Sequence, residues 1–83
     1  MKLTAELSLY PLDNAYIPII KSFIDKAADQ NTVKVISNAM STQLCGEWDD
    51  VMALVSQGLR QSYEEHGKQV LVCKLIPGEL PIQ

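Results

Sequence analysis

Few residues of this chain could carry covalent, metal or proton chemistry, and most stand in one stretch. "STQLCGEWDDVM", residues 41–52, holds Cys45, Glu47, Trp48, Asp49 and Asp50. The second thiol, Cys73, and the single histidine, His66, come later. Two cysteines far apart, with no CxxC spacing, predict reduced thiols and no metal site. Strand parity also separates them. If Thr42 and Leu44 point to the buried side, Cys45 points to the other side and Cys73 inward, so no disulfide closes. His66 falls in the last turn of a predicted helix, where partial positive charge suits the dipole. No nucleophile or base stands beside it in the pattern, so its expected role is structural. Asp49 reads as a helix N-cap and Asp50 as a first-turn dipole partner, ahead of a metal or acid–base cluster. Trp48 either plugs the end of the core or walls a pocket. An enzyme using Glu6 or Glu47 as a base is the weakest reading, and no catalytic residue, metal or cofactor is expected.

The elements that must position these residues follow from periodicity. "KLTAELSLY" alternates over nine residues: Leu3, Ala5, Leu7 and Leu9 face one way, Thr4, Glu6, Ser8 and Tyr10 the other. Period 2 is a strand with one buried face. "PLDN" breaks it, and Asp13 or Asn14 can cap a following helix. That helix shows Ile17, Ile20, Phe23, Ile24, Ala27 and Ala28 at spacings of three and four. Pro18 is tolerated because it lies in the first turn. Gln30-Asn31 ends the helix. "TVKVIS" and "STQLC" form a hairpin over residues 32–45, turning at "NAM", and Gly46 marks a close turn out of it. A second helix carries Val51, Met52, Leu54, Val55, Leu59 and Tyr63. Gly58 in it allows close packing, and Gly67 stops it. "QVLVCKLI" is the last strand, and "PGELPIQ" follows as a Pro/Gly-containing tail. The order β-α-β-β-α-β predicts an α+β ferredoxin-like sandwich, residues 1–83 forming a single domain: a four-stranded antiparallel sheet with both helices on one face.

Composition narrows the partners. The 83 residues are 47% hydrophobic and 20% charged, an ordinary globular balance, with a net charge of −3. The seven basic residues are scattered, which argues against nucleic acid and leaves a cationic ligand compatible. No apolar run of membrane-spanning length occurs, and residues 1–10 alternate instead of forming a signal-like apolar block. A cytosolic protein is expected.

The sheet face opposite the helices is apolar along the last strand. Leu71, Cys73 and Leu75 can join the first strand's leucines in the core, which leaves Val70, Val72, Lys74 and Ile76 on the other side. A solvated face does not normally gather two valines and an isoleucine. The patch predicts packing against the sheet of another subunit. Three enzyme or binding versions of such a fold fail on residues. An acylphosphatase-like protein needs an anion-binding glycine loop and an arginine where this chain has "PLDN". A metal chaperone needs CxxC there. An RNA binder needs exposed aromatics on the central strands and a basic surface. Small-molecule binding or a purely structural or regulatory oligomer remains.

"SLYPL" (residues 8–12), and Ser41-Thr42 followed by "GEWDDVM", resemble the signature of the thiamine-binding, YkoF-like family. The resemblance runs over about residues 2–76. It implies a cytosolic, ferredoxin-like protein that pairs through its sheet into a homodimer or homotetramer. It also implies binding of thiamine or its hydroxymethylpyrimidine part without catalysis, in salvage or transport. The chain departs from the pattern at Cys45, where many members carry an acidic residue. Ser8, Tyr10, Ser41 and Thr42 are the candidate ligand residues that match the motif. Glu6 and Gln43 join them by geometry, on one face of the first strand and on the neighbouring hairpin strand. Asp49 is a further candidate whose competing role is the cap. Such a set suits an aminopyrimidine and a cationic ring: carboxylate, hydroxyl and amide groups beside an aromatic wall.

Overall fold

The computed structural model of the chain describes residues 1–12, 15–28, 32–38 and 41–82. The elements run β1 (Lys2–Pro11), α1 (Tyr16–Ala28), β2 (Val33–Ser37), β3 (Thr42–Glu47), α2 (Trp48–His66) and β4 (Gln69–Pro77). They form one antiparallel sheet in the order β2-β3-β1-β4. This is the expected ferredoxin-like β-α-β-β-α-β sandwich. The predicted caps at Asp13 or Asn14, the helix end at Gln30-Asn31 and the Ala39-Met40 part of the turn lie outside the described residues, as do the side chains of Ala27 and Ala28.

The alternation of β1 decides the layering. Leu3, Ala5, Leu7 and Leu9 are buried with Val33, Leu44, Val51, Leu54, Ile19 and Phe23 in a single core between sheet and helices. Burying one such side chain is worth about 1.5–3 kcal/mol. In α2, Val51 and Leu54 reach this core and Val55 and Leu59 lie half-buried against it, whereas Met52 and Tyr63 are exposed. Ile17 of α1 is exposed too. Leu75, expected in the core, is also exposed. It sits on β4, the edge strand, beyond the reach of the helices, while Leu71 and Cys73 on the same strand pack against the core.

Two junctions differ from the expectation. Gly46 is not a turn residue. It lies within β3, paired with Leu3 on one side and Val33 on the other. A Cβ there would stand 3.1 Å from the Thr32 carbonyl oxygen, so β2 and β3 close up at this point because the side chain is missing. Asp49 is not the N-cap of α2. Strand pairing runs as far as Lys2↔Glu47, and the helix starts at the next residue, Trp48. Glu47 is the extended residue before the helix, and the Trp48 amide donates to the Met1 carbonyl at 2.8 Å. With no loop between strand and helix, Asp49 and Asp50 fall in the first turn, where the dipole favours them. Trp48 packs half-buried on the core and plugs it. Gly58 has the expected role: its Cβ would stand 3.2 Å from the ring of Phe23. Gly67 ends α2 at φ 86°, its amide donating to Tyr63.

The expected C-terminal stretch is more than a connector. Gly78 takes φ 109°, a conformation costly for any other residue, and the chain turns back across the sheet. Its amide donates to the Lys2 carbonyl at 2.8 Å. Residues 78–82 then run over the face that the helices leave uncovered, and Ile82 is 7% exposed.

Candidate ligand-binding site

Directly paired residues of antiparallel strands share a face, so the register maps the open side of the sheet. Across it run Ile36, Gln43, Glu6 and Lys74 in one row and Lys34, Cys45, Thr4 and Ile76 in the next. In the other direction along β1, Ser8 pairs with Val72 and Tyr10 with Val70, beyond the end of β3.

Glu6 stands at the centre of this map. Its Oε2 accepts a hydrogen bond from Ser41 Oγ at 3.1 Å, and its Oε1 lies 3.5 Å from the Lys74 ammonium. The carboxylate opens into a hollow of about 520 Å³ between the sheet and the crossing segment. Thr4, Gln43 and Ile76 form its floor with Glu6 and Lys74, and Leu80, Pro81 and Ile82 form a wall. The result is a mostly apolar slot with a carboxylate and an amide at one edge. That combination can hold a flat heteroaromatic ring and accept hydrogen bonds from its amino groups.

Of the seven candidates read from the sequence, four share this face: Glu6, Ser8, Tyr10 and Gln43. Ser41 joins them through its bond to Glu6. Thr42 does not. It pairs with Leu7, lies buried on the helical side, and its hydroxyl is hydrogen-bonded with Ser37 Oγ at 2.7 Å. Asp49 belongs to α2 and is exposed on that same side. Tyr10 is separated from Glu6 by four residues, about 13 Å along an extended strand.

Cys45 and Cys73 lie on opposite faces and are both free thiols, as parity required. Burial pushes the Cys73 thiol up. Cys45 is 7% exposed although it belongs to the side without helices, because residues 79–81 stand beside it. The other charges are engaged at the margins. Hydrogen bonds from Lys2 and the N-terminal ammonium hold Glu47 below the usual carboxylate range, and Lys2 is raised in return. Lys26 does the same to Glu65, which also meets His66. No group of three His, Cys, Asp or Glu that could hold a metal occurs among the described residues, and no helix there is long and apolar enough to cross a membrane.

Sequence reasoning missed the wall residues Leu80, Pro81 and Ile82, and missed Thr4 and Lys74 as site residues. The signal was present: Pro77-Gly78 is a turn dipeptide, and Leu80 and Ile82 are apolar residues spaced two apart after it.

A four-stranded antiparallel sheet with two helices on one face and a ligand-sized hollow on the other defines a ferredoxin-like α+β protein. Its family follows from the sequence: residues 2–77 match the model of the YKOF-related family, and the chain belongs to it. Solved structures agree on the fold. A protein of Streptococcus pneumoniae superposes with TM-score 0.86 at 26% identity, over 96% of this chain and 90% of its own. A hypothetical protein of Methanocaldococcus jannascii gives 0.80 at 25% identity, over 94% and 81%. A Thermotoga maritima protein provisionally assigned to thiamine biosynthesis or salvage gives 0.80 at 19% identity, over 90% and 82%. Among curated proteins, none matches the chain.

Proposed function

We propose that the chain binds thiamine or its hydroxymethylpyrimidine part, without catalysing a reaction on it, as a component of thiamine salvage or transport. The observation that carries this reading is the Glu6 hollow: an apolar slot whose polar edge is a carboxylate and a carboxamide, with the Lys74 ammonium beside the carboxylate. Family membership and the thiamine assignment of the Thermotoga maritima relative support it. In this reading the aminopyrimidine enters the slot, its amino group donating to Glu6 and its ring lying between Ile76 and the wall. The cationic thiazolium points along β1 towards Ser8 and Tyr10, where an aromatic face attracts a cation by about 0.5–2 kcal/mol. Glu6 acts as a recognition group, since both its oxygens already have partners. The protein works as a homodimer or homotetramer, joined through the apolar end of the open face formed by Tyr10, Val70 and Val72. A structural or regulatory oligomer without thiamine affinity is the rival, favoured by that same exposed patch.

Calorimetric titration with thiamine and with hydroxymethylpyrimidine tests the proposal. Both are expected to bind the native protein, and Glu6→Gln is expected to weaken both. Tyr10→Ala is expected to weaken thiamine and leave the pyrimidine unchanged. Absence of heat with either ligand at millimolar concentration would leave the rival.

A further inference from the structure

Among the described residues, 78–82 bond to the sheet through the Gly78 amide on the Lys2 carbonyl at 2.8 Å and through two side chains. The Thr4 hydroxyl is the main one. It donates to the Gly78 carbonyl at 3.0 Å and accepts from the Leu80 amide at 3.1 Å. A hydroxyl has one proton, so the sulfur of Cys45, 3.5 Å away, is its secondary neighbour. Lys34 Nζ donates to the Ile82 carbonyl at 3.1 Å, and the Ile82 side chain is buried. No strand ladder joins the segment to the sheet. Hollows flank it on both sides: the Glu6 slot, and a second of about 590 Å³ lined by Lys2, Lys34, Cys45 and Glu79. A segment bridging two hollows, and tied beyond the Gly78 amide only by side-chain bonds, opens at far lower cost than the sheet beneath it. Gly78, at φ 109°, and the preceding Pro77 mark where it would swing.

We propose that residues 78–82 are a hinged strap that gates the Glu6 hollow, with Thr4 as its latch. Open, it exposes Cys45 and gives a ring access to the slot. Closed on a ring, Leu80, which is 43% exposed, buries apolar surface that otherwise lines a hollow, so an occupant favours the closed form by its differential contacts. That the occupant is thiamine or its pyrimidine rests on the function proposed above. The strap and its latch rest on geometry alone.

The two thiols make the motion measurable. Cys45 lies beside the strap, and Cys73 lies half-buried on the other face of the sheet, away from the strap, where it serves as the reference thiol. The full-length native protein, Thr4→Val and Thr4→Ser would be treated with a thiol reagent and each cysteine followed by peptide mass. Thr4→Val is expected to speed labelling of Cys45 tenfold or more without changing Cys73, and Thr4→Ser to restore the native rate. Equal Cys45 rates in all three proteins would overturn the proposal. So would parallel acceleration of both thiols, which means general loosening. In the native protein, saturating thiamine is expected to slow Cys45 several-fold. Calorimetric heat with no slowing of Cys45 would overturn the strap as gate. No heat at all would refute the ligand assignment instead, and Thr4→Val would still decide the latch.

Discussion

Glu6 illustrates how one side chain can be recruited and restrained by its neighbours. Ser41 and Lys74 hold its two oxygens, and Lys74 is itself mostly exposed. An amino group that donates to Glu6 must share the carboxylate with that ammonium, whose charge also opposes a cationic ring nearby. Replacing Lys74 by Met removes the competitor and keeps the apolar stem over the sheet. Thiamine is then expected to bind several-fold more tightly, consistent with up to about 1 kcal/mol for an exposed ion pair. Calorimetry at low and high salt checks the cause, because the gain should shrink as salt screens the lysine. At this scale the sequence was partly legible. Alternation on β1 placed Glu6, Ser8 and Tyr10 on one face without any structure. Thr42 carried the motif yet faces the helices, as the parity that separates the two thiols already implied, since a one-residue step along a strand reverses the side. Thr4 was legible as an open-face residue but not as a latch. Its partners, Gly78 and Leu80, are far away in sequence and meet it only because β1 and β4 pair.

Between elements, the closest fits depend on side chains that are absent. Gly46 lets β2 and β3 approach each other next to Thr32, and the atom that an added methyl would meet is backbone. Gly46→Ala is therefore expected to lower stability by about 1–3 kcal/mol, the usual cost of overpacking. Urea denaturation should show a lower midpoint with an unchanged slope, the sign of lowered stability with the same surface exposed on unfolding. Gly58 serves α1 and α2 in the same way through Phe23. The helices, strands and their order could be read from periods of two and about four. Their exact junctions could not. The start of α2 is set by how far β1 pairs with β3, which ends at Glu47, and no capping preference of Asp49 competes with that.

For the whole molecule, the open face is divided into a covered end and an uncovered one. Residues 78–82 cover the end around Thr4 and Cys45. Tyr10, Val70 and Val72 remain 45–54% exposed at the other end. Val72→Asp places a charge in the middle of that uncovered strip. Light scattering is expected to give a multiple of 9.2 kDa for the native protein and the single-chain mass for the variant, with unchanged circular dichroism. A native mass of 9.2 kDa at high concentration would exclude pairing through the sheet. The sandwich and its uncovered apolar strip were legible in the alternation of β1 and β4. The division of the face was not, because residues 78–82 carry too short a pattern to announce where they settle. The strand order has one more consequence, for how the chain comes into being. β1 is the first strand in the chain but an interior one in the sheet, with β4 as its neighbour on one side. On the ribosome its leucines emerge before the other elements, and one of its two hydrogen-bonding edges has no partner until β4 has been made. Such a nascent domain carries a sticky, half-paired strand until β4 emerges, and closing that long-range pairing is expected to set a slow step in its folding.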